Sequence, residues 1–202
     1  MIEGQRFLVV LAHPLKGSLT SHLGSLVIDQ ISAAGHDLKV IDLYDRDFDP
    51  RLSGRERESY YKAPYDVSAV TDDTQALVSA DVLILIFPTW WFGLPAILKG
   101  WIDRVFVPGV AYEHSPDFGR MIPKLTNLRS CLAITTLGSP WTIDWLIMFR
   151  PNRRILSRAI VGTCAPNARF SMLSLYNTEK IVPGRLAAFE RTIKRKIEKL
   201  TS

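Results

Sequence analysis

Asp81-Val82-Leu83-Ile84-Leu85-Ile86-Phe87-Pro88 is the stretch on which the fold turns. Six apolar residues, aliphatic and β-branched for the most part, lie between one aspartate and one proline. A run this short with no polar alternation predicts a strand covered on both faces, and such strands belong to parallel sheets. Upstream, Phe7 to Ala12 has the same character and stops at His13-Pro14. Ser18 or Thr20 then caps a helix whose apolar residues recur as Leu19, Leu23, Leu26, Val27, Ile28 and Ile31, and Gly35 ends it. Leu38 to Leu43 is a second short strand, which completes a β-α-β unit with a right-handed crossover.

Downstream, Ala96 to Phe106 reads as a helix, Arg129 to Thr135 as a fourth strand and Arg169 to Leu175 as a fifth. Trp141 to Ile160 has helical spacing interrupted near Pro151, and Arg185 to Leu200 is a basic amphipathic helix. Asp72 to Ala80 predicts one more short helix. Tyr44 to Thr71 and Pro108 to Lys124 read as long irregular connections, and loops of that length usually carry function. Strands alternate with helices throughout, so an open parallel α/β sheet with helices on both faces is expected, with the Val82–Phe87 strand at its middle.

The 202 residues predict one domain spanning 1–202. Apolar residues make up 47% and charged residues 22%, which excludes wholesale disorder. The net charge of +5 suits an anionic small molecule but is too diffuse to argue for nucleic acid. The opening Met1 to Arg6 and the apolar run after it lack the form of a secretory leader. The uncharged stretch between Asp81 and Lys99 is broken by Pro88, Gly93 and Pro95, so no membrane insertion is expected and the chain reads as cytoplasmic. Cys131 and Cys164 have no metal-ligand spacing and read as buried free thiols. Asp42, Asp45, Asp47 and Asp49 lack the glycine and glutamate of a calcium loop, so no metal site is expected. Arg191, Lys194, Arg195, Lys196 and Lys199 read as a solvated helix face.

In such sheets ligands bind beyond the carboxyl ends of the strands. Three loops therefore matter. His13 to Thr20 brings a helix N-terminus with Ser18, Leu19 and Thr20, which is either an ordinary cap or a phosphate site. Pro88-Thr89-Trp90-Trp91-Phe92-Gly93 sets three aromatics in a row, either as a plug in the core or as a wall for a flat conjugated ring. Thr135-Thr136-Leu137-Gly138 offers two hydroxyls and a glycine, as a plain turn or as a place of close backbone approach. Neither a GxGxxG nor a GxxxxGK[ST] pattern is present, and no GxSxG serine pairs with one of the four histidines.

The unbroken phrase from Phe87 to Phe106, FPTWWFGLPAILKGWIDRVF, with His13-Pro14, Ala111-Tyr112, Thr135-Thr136 and Gly138 in order, resembles the flavodoxin-like quinone reductase family. Its members include NAD(P)H:quinone oxidoreductases, bacterial drug-activity modulators and potassium-efflux ancillary proteins. The resemblance is strong over about residues 6 to 140. It implies a three-layer sandwich with a five-stranded parallel sheet in the order 2-1-3-4-5. It also implies a flavin, FAD with FMN as the alternative, and NAD(P)H as cosubstrate. His13, Ser18, Leu19 and Thr20 would surround the flavin phosphate and ribityl chain. Pro88, Thr89, Trp90, Trp91 and Phe92 would line the isoalloxazine, and Thr135, Thr136 and Gly138 its pyrimidine side.

Tyr112 and His114 match positions that in the family reach across a homodimer interface over the substrate, and His114 replaces an aromatic hydroxyl there. Leu137 stands where the family has glycine. Ser139-Pro140-Trp141-Thr142-Ile143 stands where some members place a tyrosine and a histidine, so Trp141 becomes a candidate pocket wall without an ionisable proton. The activity implied is ping-pong two-electron reduction of a quinone or similar aromatic acceptor. A flavin-binding ancillary subunit of a membrane transporter is the alternative, and a one-electron carrier the third reading. Arg150, Arg153, Arg154 and Arg158 are candidates to meet a 2′-phosphate.

Overall fold

The computed structural model describes residues 4–62, 64–117 and 119–201; Met1–Glu3, with the reading of the chain's opening that rests on them, lies outside the described residues. Strand β1 (Arg6–Leu11) leads into α1 (Leu19–Ala33) and β2 (Asp37–Asp42). After α2 (Gly54–Ser59) and α3 (Thr71–Ser79) come β3 (Val82–Pro88) and α4 (Ala96–Val105). A small antiparallel pair, β4 (Tyr112–His114) and β5 (Met121–Pro123), precedes β6 (Ser130–Thr136). A helical stretch built from α5 (Pro151–Arg154), a π-helical segment Ile155–Val161 and α6 (Gly162–Cys164) leads to β7 (Arg169–Leu175), and α7 (Pro183–Thr201) closes the fold.

The sheet order is β2-β1-β3-β6-β7, all parallel. Counted along the main sheet this is 2-1-3-4-5, as expected. All seven residues of β3 are buried, which is why its sequence shows no alternation. Side chains still sort by parity. Phe7, Val9, Ile84, Ile86, Leu132 and Ile134 meet α1 (Leu23, Val27, Ile31) and α7 (Ile193, Ile197) on one face. Leu8, Val10, Leu85, Phe87 and Ala133 meet Leu77, Leu98, Trp101, Val105 and Leu156 on the other. Each such side chain contributes roughly 1.5–3 kcal/mol of burial.

Three expectations are corrected in detail. The Tyr44–Thr71 connection is not irregular throughout: it carries α2 and a 3₁₀ turn, Ser68–Val70. Ser53 caps α2 with a capping box whose glutamate, Glu56, is buried against Arg104. Arg104 in turn donates to the Asp49 carbonyl, and Asp73 takes both a two-pronged Arg46 contact and the Trp101 indole N–H. Polar pairs rather than a hydrophobic period hold this segment, so periodicity could not reveal it. The Pro108–Lys124 region contains the β4–β5 pair. The Trp141–Ile160 helix is instead a π-helical turn, Ile143–Ile147, then a break at Phe149 and Arg150, both with positive φ (55° and 53°), and a new helical start at Pro151. Proline at the first helical position explains that restart.

Among the described residues, no helix is long and apolar enough to cross a membrane. Cys131 and Cys164 are buried free thiols, and burial pushes both up to about 12.

Candidate functional site

The carboxyl ends of β1, β3, β6 and β7 open onto one groove of about 670 Å³. His13, Leu19, Thr20, Pro88, Thr89, Trp90, Trp91, Thr136 and Gly138 line it, together with Thr178 and Glu179. Nine of the twelve residues expected around a cofactor therefore meet in one place.

At one end lies the start of α1. Ser18 Oγ caps the helix by accepting from the Ser21 N–H (3.1 Å), and the Ser18 carbonyl takes the His22 N–H. The cap commits Ser18 to the helix, and it does not line the groove. The N–H groups of Leu19 and Thr20 are left without an acceptor among the described residues, at the positive end of a 15-residue helix. His13 stands beside them. Its Nδ1 accepts the Leu15 N–H (3.0 Å), so the neutral ring carries its proton on Nε2 as a donor. Burial holds the His13 pKa below its usual 6.5, against the opposing Leu15 bond, so the neutral ring is the resting form at pH 7.

At the other end is a tight turn. Trp90 and Gly93 exchange two backbone hydrogen bonds (3.3 and 2.9 Å), and Trp91 and Phe92 between them have φ of 51° and 56°. Two left-handed central residues define the type I′ geometry, for which Asn-Gly is the favoured filling. Two aromatics there store strain, and strain of this kind gathers at ligand clamps. The Trp91 and Phe92 N–H groups have no partner among the described residues, and the Trp91 side chain is 99% exposed. Phe92 is half-buried and shapes the turn without lining the groove.

The floor is a set of hydroxyls. Thr20 and Thr136 pair at 3.1 Å, and Thr89 and Thr135 at 2.8 Å. Thr135 is fully buried and backs the groove from behind Thr89. Asn152 donates to Thr89 Oγ1 (2.9 Å), although Asn152 belongs to a helical start 63 residues away. Gly138 is covered by Glu179: a Cβ built on Gly138 would come within 2.9 Å of Glu179 Oε1. The Ser139 hydroxyl beside it is buried and unpartnered.

Sequence reasoning missed Thr178, Glu179 and Asn152. The first two follow β7, and the rule that singled out loops after strands one, three and four applies equally to strand five. No sequence signal marks Asn152.

Tyr112, His114 and Trp141 lie elsewhere within one chain. Tyr112 is buried and bonded to the Tyr60 hydroxyl, and burial together with that bond pushes its pKa well up. His114 packs on Tyr60, Tyr61 and Tyr112 and lines a second cleft of about 420 Å³ with Tyr60, Tyr61 and Tyr65. Trp141 is half-exposed and packs edge-on against Trp145. None of the three lines the groove.

This arrangement fits an elongated ligand with an anionic end and a flat ring. Unpaired N–H groups and a neutral histidine donor await the anion. The strained turn presents Trp90 and Trp91 as an aromatic wall on which a flat ring could lie.

Residues 5–152 match a family described as having a flavodoxin-like fold. The chain is 33% identical over 156 residues to a Pongo abelii protein named ribosyldihydronicotinamide dehydrogenase [quinone], an alignment covering 68% of this chain and 66% of that one. It is 33% identical over 151 residues to the Cavia porcellus protein named NAD(P)H dehydrogenase [quinone] 1, covering 67% and 54%. It thus spans between about half and two thirds of these relatives' lengths. Among solved structures, Smu.1420 from Streptococcus mutans superposes with a TM-score of 0.83 at 28% identity, covering 96% of this chain and all of that one.

Proposed function

Because the chain belongs to the family with the flavodoxin-like fold, we propose that it is a flavin-dependent NAD(P)H:quinone oxidoreductase of the cytoplasm. The observation that carries this reading is the meeting, in one groove, of the unpaired amides at the α1 N-terminus with the Trp90 and Trp91 side of the strained aromatic turn. The likeness to relatives named for quinone reduction supports it.

The flavin, when bound, supplies two-electron transfer between a reduced nicotinamide and a quinone. The chain supplies the frame. Leu19 and Thr20 N–H groups and His13 Nε2–H would hold the phosphate end, and the neutrality of His13 would leave the charge balance to the helix. Trp90 and Trp91 would wall the ring, and the unpaired Trp91 N–H would offer it a fixed donor. Thr89 is held by Thr135 and Asn152, so its methyl and backbone are fixed before any ligand arrives. FAD is the flavin proposed, with FMN the alternative.

Tyr112 and His114 act, in this reading, from a second copy of the chain. The Tyr112 phenol is protonated at neutral pH, as an ordinary phenol is, and the Tyr60 hydroxyl holds it in place. One pocket that admits the nicotinamide and then the quinone implies ping-pong kinetics.

The test is direct. Purified protein denatured in acid releases a yellow chromophore that chromatography identifies as FAD or FMN. The loaded protein oxidises NAD(P)H with a simple benzoquinone and gives parallel double-reciprocal lines. Sedimentation shows a dimer. A colourless protein that neither binds added flavin nor turns over a quinone would falsify the reading.

A further inference from the structure

Asn152 is out of place as a core residue. It is 4% exposed, its Nδ2 group donates to Thr89 Oγ1 (2.9 Å), and its Oδ1 is buried without a hydrogen-bond partner among the described residues. The crevice around it, walled by Leu137, Met172 and Ser174, has no room for a water molecule. A closed-in amide with an unmet acceptor stabilises a fold poorly, because the hydration that oxygen has lost is not replaced. An apolar side chain of the same branching would fill the space without that cost. Local rules of this kind are broken where position matters more than stability.

The backbone is bent to deliver Asn152. It follows Pro151 in the first turn of α5, and the two residues before that proline, Phe149 and Arg150, take φ of 55° and 53°. The Arg150 N–H donates to the Asp144 carbonyl (2.7 Å), and the buried Asp144 carboxylate accepts from the Tyr176 hydroxyl (2.8 Å). The strained break is thus anchored to the residue that follows β7, at the same rim of the sheet as the groove.

Thr89, the group Asn152 reaches, is the junction between sheet and groove. Its N–H donates to the Thr136 carbonyl (2.8 Å), one rung beyond the last paired residue of β3. Its Oγ1 is held between the Thr135 hydroxyl (2.8 Å) and the Asn152 amide. One residue later the chain enters the Trp90–Gly93 turn, and Thr89, Trp90 and Trp91 all line the groove. Trp91 and Phe92 are residues that local preference keeps out of the left-handed region, so the turn has to be held from outside its own sequence. Asn152 itself does not line the groove.

We propose that Asn152 is a positioning residue for the flavin groove: acting through Thr89, it fixes the base of the Trp90–Gly93 turn and so sets how tightly the flavin is held, without touching the flavin. The inference rests on the flavin reading above.

Asn152→Leu keeps the branching and removes the bond; Asn152→Ala removes the bond and the bulk. Both are compared with wild type, Thr89→Val and the double variant Thr89→Val/Asn152→Leu. Titration with FAD, and with FMN, followed by fluorescence gives the dissociation constant. Amide exchange in the flavin-free protein reports the Trp90 and Gly93 N–H groups that close the turn. Each single variant weakens flavin binding about tenfold and shifts the visible absorption of the bound ring. Each also speeds exchange at Trp90 and Gly93 beyond any change at Ile84 in the middle of β3. In the Thr89→Val background Asn152→Leu adds nothing to either readout, because the group through which it acts is gone. Wild-type affinity and exchange in the Asn152 variants, or equal effects in the two backgrounds, overturn the assignment. A rise at Ile84 as large as that in the turn makes Asn152 a general prop of the fold and overturns it too. If the wild type binds neither flavin, the reductase reading falls, and the exchange measurements alone decide the positioning role.

Discussion

Replacing Trp91 separates what the aromatic turn does for the fold from what it does for a ligand. The Trp91 ring is 99% exposed, so its loss removes almost no burial from the flavin-free protein. Its backbone sits at φ 51°, where a residue with a Cβ is disfavoured by about 1–2 kcal/mol. Glycine escapes that strain but loses about 0.5–1 kcal/mol in chain entropy on folding. Trp91→Gly should therefore match or exceed wild type in stability by up to about 1 kcal/mol, and Trp91→Ala should fall below Trp91→Gly by about 0.5–1 kcal/mol. This reverses the order these residues show in a helix. Urea unfolding of the flavin-free protein, at one fixed concentration, measures it. Flavin affinity moves differently: both variants lack the indole and should weaken by about the same factor, roughly tenfold for one lost aromatic wall. Alanine equal to or better than glycine would show that the left-handed turn is not formed without ligand. Wild-type flavin affinity in both variants would remove Trp91 from the site.

Gly100→Ala should unfold at lower denaturant by about 1–3 kcal/mol, because its Cβ would lie 2.2 Å from the Pro50 carbonyl oxygen and backbone must move; an unchanged midpoint refutes that contact. Glu56→Gln strands the buried Arg104 and should cost about 3 kcal/mol in the same assay. Burial opposes ionisation of Glu56, but its bonds from Ser53 and Arg104 outweigh it and hold the pKa below the ordinary 4.5. Its contribution is therefore present above pH 4.5 and lost as pH falls through the lower folded value, a loss that Glu56→Gln should not show. His13 should titrate below 6.5 by proton NMR, since burial disfavours its charged form; stability tied to it is lost as pH drops below 6.5, and an anion bound beside it should raise the midpoint. A midpoint above 6.5 in the flavin-free protein contradicts the burial argument.

The sheet was legible because burial on two faces leaves a mark that a single sequence carries. Val82 to Phe87 and Phe7 to Ala12 are apolar without alternation, and only a central parallel position asks for that. The groove was legible for a related reason: sheet topology brings strand ends together whatever their residues are, so His13, Thr89 and Thr136 were found by position. What escaped depends on side chains meeting across long separations. Arg104 with Glu56, Asp73 with Arg46, and Asn152 with Thr89 join residues 48, 27 and 63 positions apart, and hydrogen bonds of this kind leave no period. The break at Phe149 and Arg150 escaped because neither is a residue that normally takes positive φ. That failure is informative in itself. Four bulky residues take the left-handed region in two adjacent pairs, Trp91-Phe92 and Phe149-Arg150, and one member of each, Trp91 and Arg150, lines a cavity that Thr89 also lines. Local preference is overridden twice at the same strand ends, and a fold accepts such strain where position matters more than propensity.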